Sequence, residues 1–416
     1  MNFVVHRTLL DSSAPNFDNG GTMSKTIQDP IHGGIKIDEW CTKIIDSPQL
    51  QRLRRIKQVG FANLVYPGAN HTRFEHSLGV MYIASILVEK MHVGEREKKE
   101  VIAAALLHDI GHAPFSHSSE NIVKKYLRVG HEDVLPLIKG TELEDVLKEE
   151  GLRIRRISEL IKGPSIISGD IDADRMDYLV RDSYYTGVAY GVFDLRRLID
   201  KIYFDAEKPI IEGSALRAAE SLLLSRFMMY PTVYYHHVCR IARKMYEKAL
   251  ERCIEDGSLD VKLLLKMDDH DIVTFLRSQK GYAGEIMGLI DNRRLFKRAI
   301  YVSRSRVGLE KINAERAEAE IAAEAGVDEK YVIVDAPQPE EAKELKAVVD
   351  VDGQQLKLEE VSPLVRALKE AERDILQLGV YTKKEYVDAV AKAAIRYFNI
   401  ERIPKQRRLD EVLPIW

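Results

Sequence analysis

The chain has 416 residues, enough for a substantial hydrophobic core in two or three domains. Its 62 basic and 65 acidic residues nearly cancel to a net charge of −3, which excludes the global field of an obligate nucleic-acid or membrane-surface protein. Cys41, Cys239 and Cys253 form no C-x-x-C pair, which argues against a disulfide framework or a cysteine zinc site and fits a reducing, cytoplasmic setting.

In chain order, the polar stretch from Asp11 to Gly21 reads as part of a loose leader over residues 1–23, with Met23 as an alternative start. Helical spacing of Ile44, Ile45, Leu50, Leu53 and Ile56 follows within Ile37 to Gln58, and Pro67, Gly68 and Asn70 mark a turn. From His76 to Met91 apolar residues crowd nearly all round, as in a helix inside a bundle, and Glu97 to Ile110 reads the same way until Gly111 and Pro114. Further helices are expected over Asp172 to Asp182, Leu216 to Cys253 and Val361 to Phe398. No run reaches the roughly 18 apolar residues of a membrane span.

After about residue 295 the texture turns β-branched and alternating, in "RAIYVSR", "KYVIVDAP" and "LKAVVDVDGQQLKLEE", with Asp352-Gly353 as a hairpin signal. The expectation is a mainly α protein, nearly all helix in its first two thirds, followed by a smaller C-terminal α+β lobe.

The stretch "LLHDIGHAPFSH" (106–117) breaks the apolar pattern. Seven of the twelve histidines, at 71, 76, 92, 108, 112, 117 and 131, fall between residues 71 and 131. Any one of them reads equally as a satisfied core or surface histidine, but His108 and Asp109 side by side point to a divalent metal. A mixed N/O set without thiolate favours Mn, Fe, Co, Ni or Mg over a closed zinc site. His76 can arrive from the preceding helix. A fourth ligand is expected from "GDIDADRMDYLVRDS" (169–183), which offers Asp170, Asp172, Asp174, Asp177 and Asp182. By spacing alone this stretch is equally a solvated helix N-terminus.

These motifs, with "DPIHG", "QRLRRIKQVG" and "YPGANHTRFEHSLGV", resemble the HD-domain superfamily, and within it the deoxynucleoside triphosphate triphosphohydrolase branch. That branch includes animal enzymes that join a sterile alpha motif to the HD domain; no such motif is seen here. The resemblance is strong from about residue 25 to 240 and faint beyond 260. It implies an HD helical bundle over 24–265 and a helical extension with a small α+β lobe over 266–416.

The resemblance also implies a metal quartet of His76, His108, Asp109 and Asp174. The expected reaction is hydrolysis of a dNTP to a deoxynucleoside and inorganic triphosphate, with a further Mg on the triphosphate; zinc remains among the candidate metals. His117 is matched to the general acid, supported by His112, His131 and Glu132. Arg73, Arg175 and Arg226 match phosphate contacts, Arg175 replacing the animal enzyme's lysine. Gln58 and Asp182 match groups that hold the 3′ hydroxyl, and Tyr178 and Tyr234 match aromatics against the deoxyribose. Lys25, Asp46, Gln51 and Arg54 match contacts to an activating guanine nucleotide (GTP or dGTP) between subunits, so a homo-oligomer, dimer or tetramer, is expected. Nucleic acid is not required. The absence of any G-x-x-x-x-G-K-[ST] run excludes a P-loop nucleotidase.

Overall fold

A computed structural model describes residues 25–304, 307, 312–337 and 346–400; the expected leader lies outside the described residues. Strands Lys25–Asp29 and Gly33–Ile37 pair as an antiparallel hairpin. The 37–58 segment then folds as short pieces, helices Glu39–Ile45 and Pro48–Arg52 and a 3₁₀ turn Leu53–Arg55, rather than one helix. Ile44, Leu50, Leu53 and Ile56 are fully buried, as their spacing predicts.

Helix Arg73–Val88 is the centre of the bundle. Thr72 and Glu75 form a capping box, the Glu75 carboxylate accepting the Thr72 N–H at 2.9 Å. Nearly every side chain of this helix is buried, because it packs against helices Glu95–Leu107 and Ala173–Thr186. Gly79 is where the last of these comes closest: a Cβ there would lie 1.9 Å from an Asp177 carboxylate oxygen.

The helix expected over Leu216 to Cys253 is interrupted. Helix Leu216–Met229 ends in a π-helical turn, Tyr230–Tyr234, before helix His237–Glu255 begins. Pro231 has no N–H to donate, and Tyr235 N–H reaches back five residues to the Tyr230 carbonyl at 2.7 Å. The segment expected as helix from Val361 to Phe398 is also corrected, to helix Pro363–Ile375, strand Gln377–Thr382 and helix Val387–Tyr397. A short apolar run such as "LGVYT" does not distinguish a buried strand from a buried helix by period.

Two sheets complete the fold. Gln377–Thr382 is the central strand of an antiparallel sheet, flanked by Lys297–Ser303 and Val332–Asp335 and packed by helices Ala314–Ala325 and Val387–Tyr397. The other sheet sets a short hairpin into the first part, which is otherwise nearly all helix as expected. Its hairpin Ile202–Asp205/Lys208–Glu212 takes strand Val348–Val351 in parallel, and Gln354–Lys357 closes the edge. Asp352 and Gly353 both have positive φ, the turn their dipeptide predicts. Val349, Leu358 and Val365 therefore join Ile211 and Leu222 in the main core, while the sheet centred on Gln377–Thr382 forms the smaller α+β part near the C-terminal end. No helix among the described residues is long and apolar enough to cross a membrane.

Candidate active site

Helix Arg73–Val88 brings His76 to the end of helix Glu95–Leu107, where His108 and Asp109 leave the last turn, and helix Ala173–Thr186 supplies Asp174. His76 Nε2 lies 3.3 Å from His108 Nε2, 2.9 Å from an Asp174 oxygen and 3.8 Å from an Asp109 oxygen. His108 Nε2 is 3.4 Å from Asp109 and 3.8 Å from Asp174. Donors bound about 2.1 Å from one ion are themselves about 3.0–3.4 Å apart, so this packing suits a shared divalent cation. Two imidazole nitrogens facing each other beside two carboxylates are otherwise an unfavourable arrangement. Burial opposes charge on His76, but the Asp174 and Asp177 carboxylates outweigh it and raise its pKa to about 10, so a proton stands where a cation would.

Both imidazoles are oriented from behind. His76 Nδ1 meets Asp177 at 2.7 Å, and His108 Nδ1 meets the Ala105 carbonyl at 2.8 Å, the outer contacts that fix a ligating tautomer. Asp177 is in turn held by Arg181 and His32, and Arg181 reaches Asp29 in the first hairpin. Burial alone would raise Asp177, yet Arg181 and the two histidines hold it well below the usual carboxylate range. Asp177 stood among the acidic candidates; its i, i+3 step from Asp174 is the signal for this supporting role.

The second histidine cluster is built differently. The His112 and His131 rings stack 4.2 Å apart, with His117 edge-on to both. Gly111 makes room, since a Cβ there would stand 1.9 Å from the His131 carbonyl oxygen. One carboxylate, Glu120, takes His117 Nδ1 at 2.7 Å and His131 Nδ1 at 3.1 Å. Burial opposes its charge, but both imidazoles pull its pKa strongly down. Glu132, matched by resemblance to this support, lies 3.5 Å from His131 and does not line the cavity. Glu120 makes the shorter contacts to this cluster; its i, i+3 spacing from His117 is the signal that could have found it.

Protein atoms crowd His117, and this burial lowers its pKa although its side chain still faces the open cavity at 58% exposure. Burial likewise opposes charge on His131, but Glu120 raises its pKa. His112 is pushed well down by burial and by Arg73, which leaves it neutral.

A cavity of about 1370 Å³ opens over both clusters, and Gln58, Arg73, His108, Asp109, His112, His117, His131, Asp174, Arg175, Tyr178, Asp182, Arg226 and Tyr234 all line it. His76 is buried behind it. Arg73 Nη1 binds Asp109 at 2.7 Å and Nε binds Ser116 Oγ at 2.6 Å. Arg175 pairs with Asp172, the N-cap of its helix, and Arg226 with Glu372 at 3.2 Å. Asp182 accepts from Tyr234 Oη and meets His71 Nε2, each at 2.7 Å, while buried Gln58 Oε1 has no hydrogen-bond partner. Tyr178 stands edge-on to Tyr234 at 6.2 Å.

The turn that delivers His117 is strained. Phe115 and Ser116 both have positive φ, and Asp269 holds them by accepting the N–H groups of Phe115 at 2.6 Å and Lys57 at 3.0 Å. Burial outweighs those contacts and lifts Asp269 to about 6. No sequence motif points to Asp269, because it lies 154 residues from Phe115 along the chain.

Lys25, Asp46, Gln51 and Arg54 do not line this cavity. Lys25, Asp46 and Arg54 are exposed; Arg54 donates to Gln51 Oε1 at 2.8 Å and lies over the Phe74 ring at 3.6 Å.

Residues 73–182 match the HD domain model and residues 193–409 the HD associated region. An uncharacterized protein of Methanocaldococcus jannaschii is 40% identical over 376 residues, covering 87% of this chain and 80% of that one. The deoxynucleoside triphosphate triphosphohydrolase SAMHD1 of Gallus gallus is 30% identical over 342 residues, 66% of this chain and 55% of its own length. The crystal structure of a phosphohydrolase from Bacteroides thetaiotaomicron superposes with a TM-score of 0.72 at 27% identity, covering 87% of this chain and 100% of that one.

Proposed function

The chain belongs to the HD-domain phosphohydrolases that carry an HD-associated region, and on that premise we propose that it hydrolyses deoxynucleoside triphosphates to deoxynucleoside and inorganic triphosphate. The observation that carries this reading is the placement, beside one cavity, of the His76/His108/Asp109/Asp174 cluster together with three arginines, Gln58, Asp182, Tyr178 and Tyr234. The relatives named deoxynucleoside triphosphate triphosphohydrolase support the same substrate class.

His76, His108, Asp109 and Asp174 would hold a divalent metal, which when bound supplies Lewis-acid polarisation and a water of lowered pKa. Arg73, Arg175 and Arg226 offer planar forks to phosphate oxygens, and a further Mg would accompany the triphosphate. Asp182 and the unpartnered Gln58 Oε1 are acceptors for a 3′ hydroxyl, with Tyr178 and Tyr234 crowding the C2′ side. Attack at the α-phosphorus expels the 5′ oxygen, and His117 gives that oxygen its proton. Glu120 keeps His117 oriented, and His131 holds the proton in reserve. The activator reading rests on resemblance: a guanine nucleotide at Lys25, Asp46, Gln51 and Arg54, between subunits of a homo-oligomer.

Incubation with each of the four dNTPs in Mn²⁺ or Mg²⁺, with and without GTP, tests both readings by chromatography of products. Equimolar deoxynucleoside and triphosphate is expected. Release of monophosphate or diphosphate instead would replace this substrate chemistry with another HD-type hydrolysis, and indifference to GTP would remove the activator site.

A further inference from the structure

His71 is a buried histidine that belongs to neither histidine cluster and does not line the cavity. It stands between the turn at Pro67 and Gly68 and the Thr72 cap of helix Arg73–Val88. Its backbone carbonyl accepts the Gln58 N–H at 3.1 Å, and its Nε2 meets an Asp182 oxygen at 2.7 Å. One residue thus ties together the two groups assigned to the 3′ hydroxyl, which lie far apart in the chain.

The imidazole is fixed on every side. It stacks on the Tyr185 ring, with centroids 4.5 Å apart and planes 13° from parallel. The turn before it lies tight against the same helix end, since a Cβ at Gly68 would stand 2.6 Å from the Tyr185 carbonyl oxygen. Buried Nδ1 has no hydrogen-bond partner, so the ring proton belongs on Nε2, where Asp182 accepts it. Tyr234 Oη donates to the other Asp182 oxygen at 2.7 Å. A donor on each oxygen holds the carboxylate against rotation, and each oxygen keeps a lone pair for a substrate hydroxyl. Asp182 and Gln58 both line the cavity, so His71 reaches a ligand only through them.

We propose that His71 is a positioning residue that makes the site selective for a 3′ hydroxyl, by orienting the Asp182 carboxylate and anchoring the Gln58 backbone. The inference rests on the assignment of Gln58 and Asp182 to the sugar. A site built to pair with a hydroxyl rejects an analogue that lacks it, because buried acceptors are then left empty.

Steady-state kcat and KM for each dNTP and its 2′,3′-dideoxy analogue, in Mn²⁺ with GTP present, read this selectivity. Wild type is expected to favour the dNTP in kcat/KM by at least about tenfold. His71→Phe keeps a ring on Tyr185 without the donor, and His71→Asn carries an amide that stops short of Asp182. Both are expected to bring the ratio down to about threefold or less, by losing rate on the dNTP while the dideoxy analogue is cleaved nearly as in wild type. His71→Gln places an amide N–H close to the position of Nε2 and is expected to keep the wild-type preference. Melting curves and metal content check each variant, and if one of the two donor-less variants misfolds the other carries the test. Equal loss on both substrates with the ratio retained would give His71 a structural role only and overturn the proposal. A preference lost in His71→Gln as fully as in His71→Asn would overturn it too. A wild type that cleaves dNTP and dideoxy analogue alike, or neither, refutes instead the assignment of Gln58 and Asp182 to the 3′ hydroxyl, before any variant is compared.

Discussion

Two histidine clusters meet at one cavity and differ in how carboxylates are placed around them. In the first, two imidazole Nε2 atoms converge with two carboxylates, and Asp177 and the Ala105 carbonyl fix the ring orientations. In the second, Glu120 takes two of the three imidazoles, His117 and His131, while His112 stacks on His131 and reaches Asp109 at 3.3 Å. Excess carboxylate calls for a cation, whereas excess imidazole around one carboxylate stores a proton. The number and placement of carboxylates, more than the number of histidines, separates a metal centre from an acid.

The comparison breaks most visibly in rate. Asp174→Ala is expected to abolish hydrolysis together with metal binding, whereas His117→Ala is expected to cut turnover by about 10²–10⁴-fold with metal retained. Parallel kcat and metal-content measurements check both. If His117→Ala loses metal as well, the two clusters are not distinct.

Asp177→Asn keeps the shape and removes the charge behind His76. Metal affinity is expected to fall by about 10–100-fold, read by competition with a chelator, and excess metal should restore turnover.

Glu120→Gln sharpens the proton side of the comparison. Glu120 raises the His131 pKa, so charge on His131 stabilises the fold below the ordinary histidine range and that contribution is lost as pH climbs through the raised value. The alkaline limb of kcat is expected to move to lower pH in Glu120→Gln. An unmoved limb would take the proton reserve away from this cluster.

Asp269→Asn gives the smallest effect. It can satisfy only one of the two N–H groups that Asp269 accepts, and a loss of about 1–3 kcal/mol in stability is expected from denaturant unfolding. The raised Asp269 pKa adds a slope: its protonated form favours the fold at low pH, and that benefit declines as pH rises through about 6. The variant should lack this slope.

Of the first cluster, His108 and Asp109 stood out because they are adjacent where an apolar helix ends, whereas the dense acidic stretch offered five aspartates and only the family resemblance pointed to Asp174. The second was legible only in its histidines. Glu120 is one more polar residue in "HSSENIV", and nothing but its distance of one helical turn from His117 singles it out. Asp269 was out of reach, since its role depends on a backbone turn formed far away in the chain. In the fold, the helices around His76 and His108 announced themselves by all-round burial. The strand Gln377–Thr382 did not, because its pairing partners lie at 297–303 and 332–335 and the run itself has no distinguishing period. The return of residues 348–365 onto the main core was hidden for the same reason: it is a pairing between distant strands.

Metal stoichiometry tests the division between the clusters most directly. Protein stripped by chelation and reloaded with Mn²⁺ is predicted to bind one tightly held ion per chain, to recover hydrolysis in proportion to it, and to keep that ion in a His112→Ala/His117→Ala/His131→Ala variant. His76→Ala/Asp174→Ala should lose it. The account is contradicted if the triple-histidine variant loses the ion while His76→Ala/Asp174→Ala retains it.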